Sequence, residues 1–193
     1  MIFHIFYSSE LNGGTVMTTS GLDHIFSTYA KPIIESDKID FLRTQTQHGS
    51  STCYDHCVSV AKTSILIAEK LHIRYDKKAL VRGALLHDCF LYDWHLTHER
   101  WHGFRHPYIA LSNASRDFDL TAREKNIIVR HMFPLTPIPP KYRESLLVST
   151  ADKICALKEV FVGISNYFRC HQRLTQALLR ACTILITILP WTH

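Results

Sequence analysis

From Asp55 to Leu71, read at the helical spacing of about 100° per residue, the polar residues Ser59, Lys62 and Glu69 fall on one narrow stripe. Val58, Val60, Ala61, Ile65, Ile67, Ala68 and Leu71 cover most of the remaining circumference. A helix apolar over so much of its surface belongs at the centre of a core. His56 stands in its first turn, in line with Val60 and Ile67, so its imidazole is expected to face inward. A second apolar run, Lys77 to Asp88, carries Leu80, Val81, Ala84, Leu85 and Leu86, with Gly83 permitting a close neighbour. It delivers His87 and Asp88 at its end.

The rest of the chain also reads as helix. Asp23–Tyr29 and Asp37–Thr44 are expected as short leading helices separated by a break at Lys31-Pro32. Pro107 suits the first position of a helix, where its missing N–H would be unpaired anyway, and places His106 at that helix's entrance. Thr121 and Glu124 form a capping box ahead of Ile127, Ile128 and His131. Pro134, Pro137, Pro139 and Pro140 make a stiff connection to a last long helix, Tyr142 to about Phe161, with Asp152 beside Val148, Ser149, Cys155 and Ala156 on one face. No segment reads as a strand. The expected class is all-α, a single bundle of about six or more helices.

At 193 residues the chain fits one domain with a substantial core. The longest apolar run, Ala181–Leu189, is too short for a membrane span and ends at Pro190; it reads as a buried terminal helix or a surface that docks onto a second copy, which would make a homodimer. The net charge of +5 is scattered rather than clustered, which argues against a nucleic-acid or membrane-surface partner and suits small anionic ligands. The six cysteines form no CxxC pair and no disulfide framework, and no secretory signal is present, so the expected compartment is the reducing cytoplasm. Gly13-Gly14 lies just ahead of Met17. Glycine codons can spell a ribosome-binding sequence, so translation is expected to start at Met17, with residues 1–16 a read-through leader.

Histidine is the compositional oddity: eight of the thirteen lie between His56 and His131. Alone, any of these is more often a hydrogen-bonded core residue, and a lone aspartate a cap or ion pair. Their setting changes that. His87-Asp88 directly follows Ala84-Leu85-Leu86, and His56 and Asp152 sit on equally apolar helices. Burying such groups costs several kcal/mol unless they are paired or bind a metal.

His56 in Tyr54-Asp55-His56, then Leu85-Leu86-His87-Asp88, then Ala151-Asp152-Lys153, on a helical background, resembles the HD superfamily of metal-dependent phosphohydrolases. The resemblance covers roughly Cys53 to Phe161 and implies an HD domain over 17–162 and a C-terminal helical extension over 163–193. It implies that His56, His87, Asp88 and Asp152 ligate one metal. His106 and His131 lie between the His-Asp pair and the last aspartate, an order similar to the dinuclear branch of the superfamily. There Asp88 would bridge two metals, with His106 and His131 completing the second site. The mononuclear arrangement stays open beside it. The chain departs from that branch's cyclic-dinucleotide phosphodiesterases, because Cys89-Phe90-Leu91-Tyr92 stands where they carry a lysine and no Gly-Tyr-Pro occurs.

Mixed imidazole and carboxylate ligands suit iron, manganese, cobalt or nickel, one or two ions, and no organic cofactor is implied. The substrate class that follows is a small phosphorylated molecule such as a nucleotide, cleaved at a phosphate ester or anhydride. In the loop after Asp88, Asp93 and His95 are candidates for general acid; Asp93 as a cap beside a packed Trp94 is the plainer reading. Arg105, Lys141 and Lys153 are candidate phosphate contacts, each equally a surface charge or ion pair. Two other classes stay in play: a di-iron oxygenase, which shares the six-ligand order, and a non-catalytic, metal-stabilised module. Residues from Gly163 on, apolar with Arg169, Arg173 and Arg180 interspersed, would pack on the core or form a dimer contact.

Overall fold

A computed structural model of the chain describes residues 18–48, 51–89 and 102–188. Thr18 opens the first helix, α1 (Thr19–Ile34), by accepting from the Gly21 N–H. Pro32 does not break this helix as the sequence suggested. It sits in the last turn, held there because Ala30 and Ile33 are fully buried; packing outweighs the one backbone hydrogen bond that proline forfeits. The segment from Asp37 is likewise not a single helix but a 3-10 turn, Asp37–Ile39, running into α2 (Asp40–Thr44).

A small antiparallel hairpin follows, β1 (Thr46–His48) paired with β2 (Ser51–Thr52). Strands of three and two residues are too short to show alternation, which is why the sequence reading found none. Thr52 then caps α3 (Cys53–Lys70): its Oγ1 accepts from Asp55 N, and the Asp55 carboxylate accepts from Thr52 N. This capping box satisfies two N–H groups that the first helical turn would leave open.

α3 is the central helix, packed against α4 (Lys77–Leu86) and α7 (Arg143–Ile188). α5 (His102–Asp117) and α6 (Ala122–Arg130) close the other side, with α6 filling the angle between α4 and α7. Val60, Ile65, Leu80, Leu86, Ile127, Ile128 and Val148 lie at the middle of the core with no accessible surface. Each such side chain contributes about 1.5–3 kcal/mol of burial energy. Gly83 on α4 permits the expected close neighbour: a Cβ built there would lie 2.6 Å from Ile127 Cδ1.

The capping box of Thr121 and Glu124 forms as predicted. Glu124 is itself buried and also accepts from the Arg82 guanidinium, so the cap ties α6 to α4. Glu144 does the same for α7, accepting from Asp76 N at 2.7 Å and pairing with Arg123 at 3.0 Å. Two boundaries differ from expectation. α5 already runs from His102, so Pro107 lies inside it rather than at its start. The last helix continues without interruption from Arg143 through Phe161 to Ile188. Among the described residues no helix is long and apolar enough to cross a membrane.

Candidate metal centre

Three helices and two helix ends meet at a cluster of buried histidines and aspartates. The α3 capping box fixes the first turn, and the first turn directs His56 inward, 1% exposed. Its Nδ1 lies 3.0 and 3.2 Å from the two oxygens of Glu159 on α7, and its Nε2 lies 3.1 Å from Asp152 Oδ1. With Nδ1–H donating to Glu159, Nε2 presents a lone pair to the aspartate.

His87 and His131 are set by one device used twice. Each is the C-terminal cap of its helix, α4 or α6, and each ring donates Nδ1–H to the carbonyl three residues back, Ala84 or Ile128, at 2.7 Å. Helix ends leave their last carbonyls without backbone donors, and the imidazoles fill that vacancy. Nδ1 is thereby occupied, so Nε2 of both rings is the nitrogen aimed at the cluster. His87 Nε2 has no hydrogen-bond partner; it lies 3.6 Å from Asp88 Oδ2 and 3.8 Å from Asp152 Oδ1.

Asp88 occupies the middle. Its Oδ1 is 3.4 Å from both His106 Nε2 and His131 Nε2, and those two nitrogens are 2.8 Å apart. The ligand atoms fall into two overlapping groups, His56 with His87 and Asp88, and Asp88 with His106 and His131, each within 4.8 Å internally. Asp152 borders the first group.

The charge states follow from this crowding. Burial opposes the charge on Asp88, yet cationic His87 and the contacts from His106 outweigh it and hold the carboxyl well below the usual range. Burial likewise opposes charge on Asp152, and the bonds from His56 and His87 overcome it. Burial also disfavours the imidazolium of His56 and of His87, but the carboxylates around them raise both well above the ordinary histidine value. His131, desolvated and repelled by His87, falls to about 3 and stays neutral.

Lone pairs and carboxylate oxygens converging in a buried space repel one another unless a cation lies between them. With no metal, protons on His56 and His87 take that place; a divalent ion would do so with the imidazoles neutral. Imidazole Nε2 atoms with Nδ1 anchored, plus two carboxylates, are a donor set suited to a borderline transition metal. The residues fit such a group.

Of the other sequence candidates, Lys153 turns away from the cluster's centre. Its Nζ donates to the His131 carbonyl at 2.8 Å and to Ser149, and lies 3.7 Å from Asp152 Oδ2. Ser149 Oγ donates to the same His131 carbonyl, so α7 pins the end of α6 at two points. Arg105 is exposed on α5 next to His106. Lys141 is exposed on the proline-rich connection, its ammonium 5.7 Å from the Tyr142 ring. Asp93 and His95 lie outside the described residues. Glu159 was missed by the sequence reading. Its signal was its spacing, seven residues after Asp152 and so two turns along the same face.

Four cysteines, Cys53, Cys57, Cys89 and Cys155, are buried free thiols around the site. Cys57 Sγ sits 3.8 Å from His87 Nδ1, and burial with neighbouring groups raises the Cys89 thiol to about 12. They behave as small apolar residues rather than ligands.

A family model described as HD domain matches residues 53–157, more than half of the chain. Neither the curated proteins nor the solved structures gave a match. The matched stretch begins at the first residue of α3 and contains all six clustered histidines and aspartates, with Glu159 just beyond its end. The chain therefore belongs to the HD-domain family, whose metal-dependent hydrolases set the frame for its chemistry.

Proposed function

We propose that the chain is a metal-dependent phosphohydrolase acting on a nucleotide or another small phosphorylated molecule. In this reading His56, His87, Asp88 and Asp152 hold one divalent ion, and Asp88, His106 and His131 hold a second. The observation that carries it is the position of Asp88, whose single carboxylate serves both groups of buried nitrogen atoms. When bound, the ions would neutralise phosphoryl oxygens and lower the pKa of water enough to supply a nucleophile at pH 7.

The chain's own part is to hold the ligand atoms. Nδ1 of His87 and His131 is spent on helix-end carbonyls, so neither ring can turn its proton toward the site. Glu159 accepts from His56 and keeps that ring's Nε2 facing Asp152. Lys153 donates to the His131 carbonyl at the rim of the cluster, and Arg105, exposed on α5 beside His106, would meet an incoming phosphate. Asp93 or His95, on the segment that leaves Asp88, would protonate the departing oxygen.

The test is elemental analysis of protein purified without chelators, alongside His131→Ala, followed by phosphate release from nucleoside mono-, di- and triphosphates and from bis(p-nitrophenyl) phosphate. Two equivalents of iron or manganese, one lost in the variant, with oxygen-independent phosphate release, is the expected result. One equivalent untouched by the substitution overturns the two-ion reading. Iron-only activity that consumes oxygen replaces hydrolysis with the oxygenase chemistry.

A further inference from the structure

We infer that the outer part of α7 is a self-association surface, and that its occupant is the same helix of a second copy. α7 runs 46 residues, Arg143–Ile188, while the HD match ends at 157. Up to Cys155 the helix is packed on α3 and α6. Beyond it large apolar side chains turn to solvent: Leu157 is 59% exposed, Val160 45%, Phe161 68%, Ile164 47% and Tyr167 69%. They recur at intervals of three and four, one continuous stripe.

Two independent observations select a helix as the occupant. The first is length. Counting Leu157 and Val160 as the two seam positions of a seven-residue repeat, the sequence continues with Ile164 and Tyr167, His171 and Leu174, Leu178 and Ala181, Leu185 and Ile188. Nine of these ten positions are apolar, sustained over more than four repeats of one helix, the pattern of helices that wind on one another. Most charges of the stretch, Lys158, Glu159, Arg169, Arg173 and Arg180, fall at the other positions.

The second is Gly163. Glycine weakens a helix interior relative to alanine, and a conformational or packing need normally explains its presence. Among the described residues there is none: a Cβ built at Gly163 meets nothing within 4 Å. It lies between Phe161 and Ile164 on the edge of the stripe, where a small residue lets a second backbone approach. Contrast Gly83, whose Cβ position is occupied from within the fold.

The area is sufficient. The five exposed side chains offer on the order of 500 Å², near the upper end of apolar patches on monomers. Two copies burying them against each other remove about 1,000 Å² from water, the lower bound of a specific interface. A two-fold arrangement satisfies both stripes at once.

The full chain, at 22.3 kDa, is to be measured by sedimentation equilibrium from about 1 to 100 µM, with Phe161→Glu/Ile164→Glu and with Gly163→Leu. The expected outcome is a dimer for the native chain and a monomer for the double variant, each with unchanged metal content to show an intact HD domain. Gly163→Leu should raise the dimer dissociation constant at least tenfold while helical content holds or rises. A native chain that stays monomeric, or a dimer indifferent to both variants, overturns the inference. A monomer that co-sediments with phosphatidylglycerol–phosphatidylcholine vesicles also overturns it, because the stripe would then be a lipid-facing surface.

Discussion

Replacing Gly83 with alanine tests whether the α4–α6 contact positions the site. A Cβ at that position would stand 2.6 Å from Ile127 Cδ1, 2.9 Å from Cγ2 and 3.0 Å from Cβ. Rotating the Ile127 side chain moves the first two atoms but not the third, which is fixed to the α6 backbone. The helices must therefore part. Overpacking of this kind costs up to about 3 kcal/mol. Alanine recovers about 1 kcal/mol of helix propensity, leaving a net loss of about 2 kcal/mol. For a chain of this size that lowers Tm by about 4–8 °C. The same parting carries His131, at the end of α6, away from Asp88, at the end of α4, whose atoms stand 3.4 Å apart. Thermal unfolding by circular dichroism and metal content measured on the same sample check both halves. The expected result is a lower Tm with loss of metal. A variant more stable than the native protein by the propensity gain, with full metal content, would refute the close-approach argument outright.

Glu159→Gln should leave the metal stoichiometry intact but weaken affinity about 10–100-fold, as loss of a carboxylate behind a ligating histidine does; competition with a chromogenic chelator measures it. Glu124→Ala removes both the α6 cap and the partner of Arg82, and urea unfolding should show a loss of about 3–5 kcal/mol; a loss under 1 kcal/mol would contradict the assigned role. Chelated protein should lose stability as pH climbs above about 6.5. His56 and His87 are raised in the folded state, so their contribution is complete below the unfolded value near 6.5 and disappears as pH passes the folded values. His131, held to about 3, opposes this only at the start of the window, where its unfolded form is still partly protonated. With manganese present the trend should reverse, because neutral imidazoles bind the ion. A chelated Tm that rises over this range would count against the protonated cluster.

What the sequence made legible was whatever declared itself through burial or local pairing. The apolar circumference of the Asp55–Leu71 segment located α3, and the Thr121–Glu124 pair located the start of α6. His56, His87, Asp88 and Asp152 stood out because charged or titratable groups inside apolar runs demand compensation, while His106 and His131 were picked out by the order shared with the dinuclear branch. Glu159 escaped because a glutamate on an amphipathic helix ordinarily reads as solvated, and only the tertiary approach of His56 changes that. Pro32 misled because local propensity was allowed to outweigh the burial of Ala30 and Ile33. The β1–β2 hairpin lies below the length at which alternation can register. The continuity of α7 was hidden because the resemblance ends near Phe161 and the stretch from Gly163 read as a separate helical extension.

The placement of His87 and His131 as caps has an electrostatic consequence. Both α4 and α6 point their C-terminal ends at the cluster, and each such end carries about half an elementary negative charge. The opposing N-terminus of α3 is muted, since Thr52 and Asp55 occupy its foremost N–H groups. The backbone thus adds roughly one negative charge to the three of Asp88, Asp152 and Glu159. Two divalent ions would then leave the filled cavity close to neutral, with only a small residual field. That residual field would draw in a phosphate and hold it loosely enough that the product, more negative once the ester is cut, is not trapped by a deep electrostatic well.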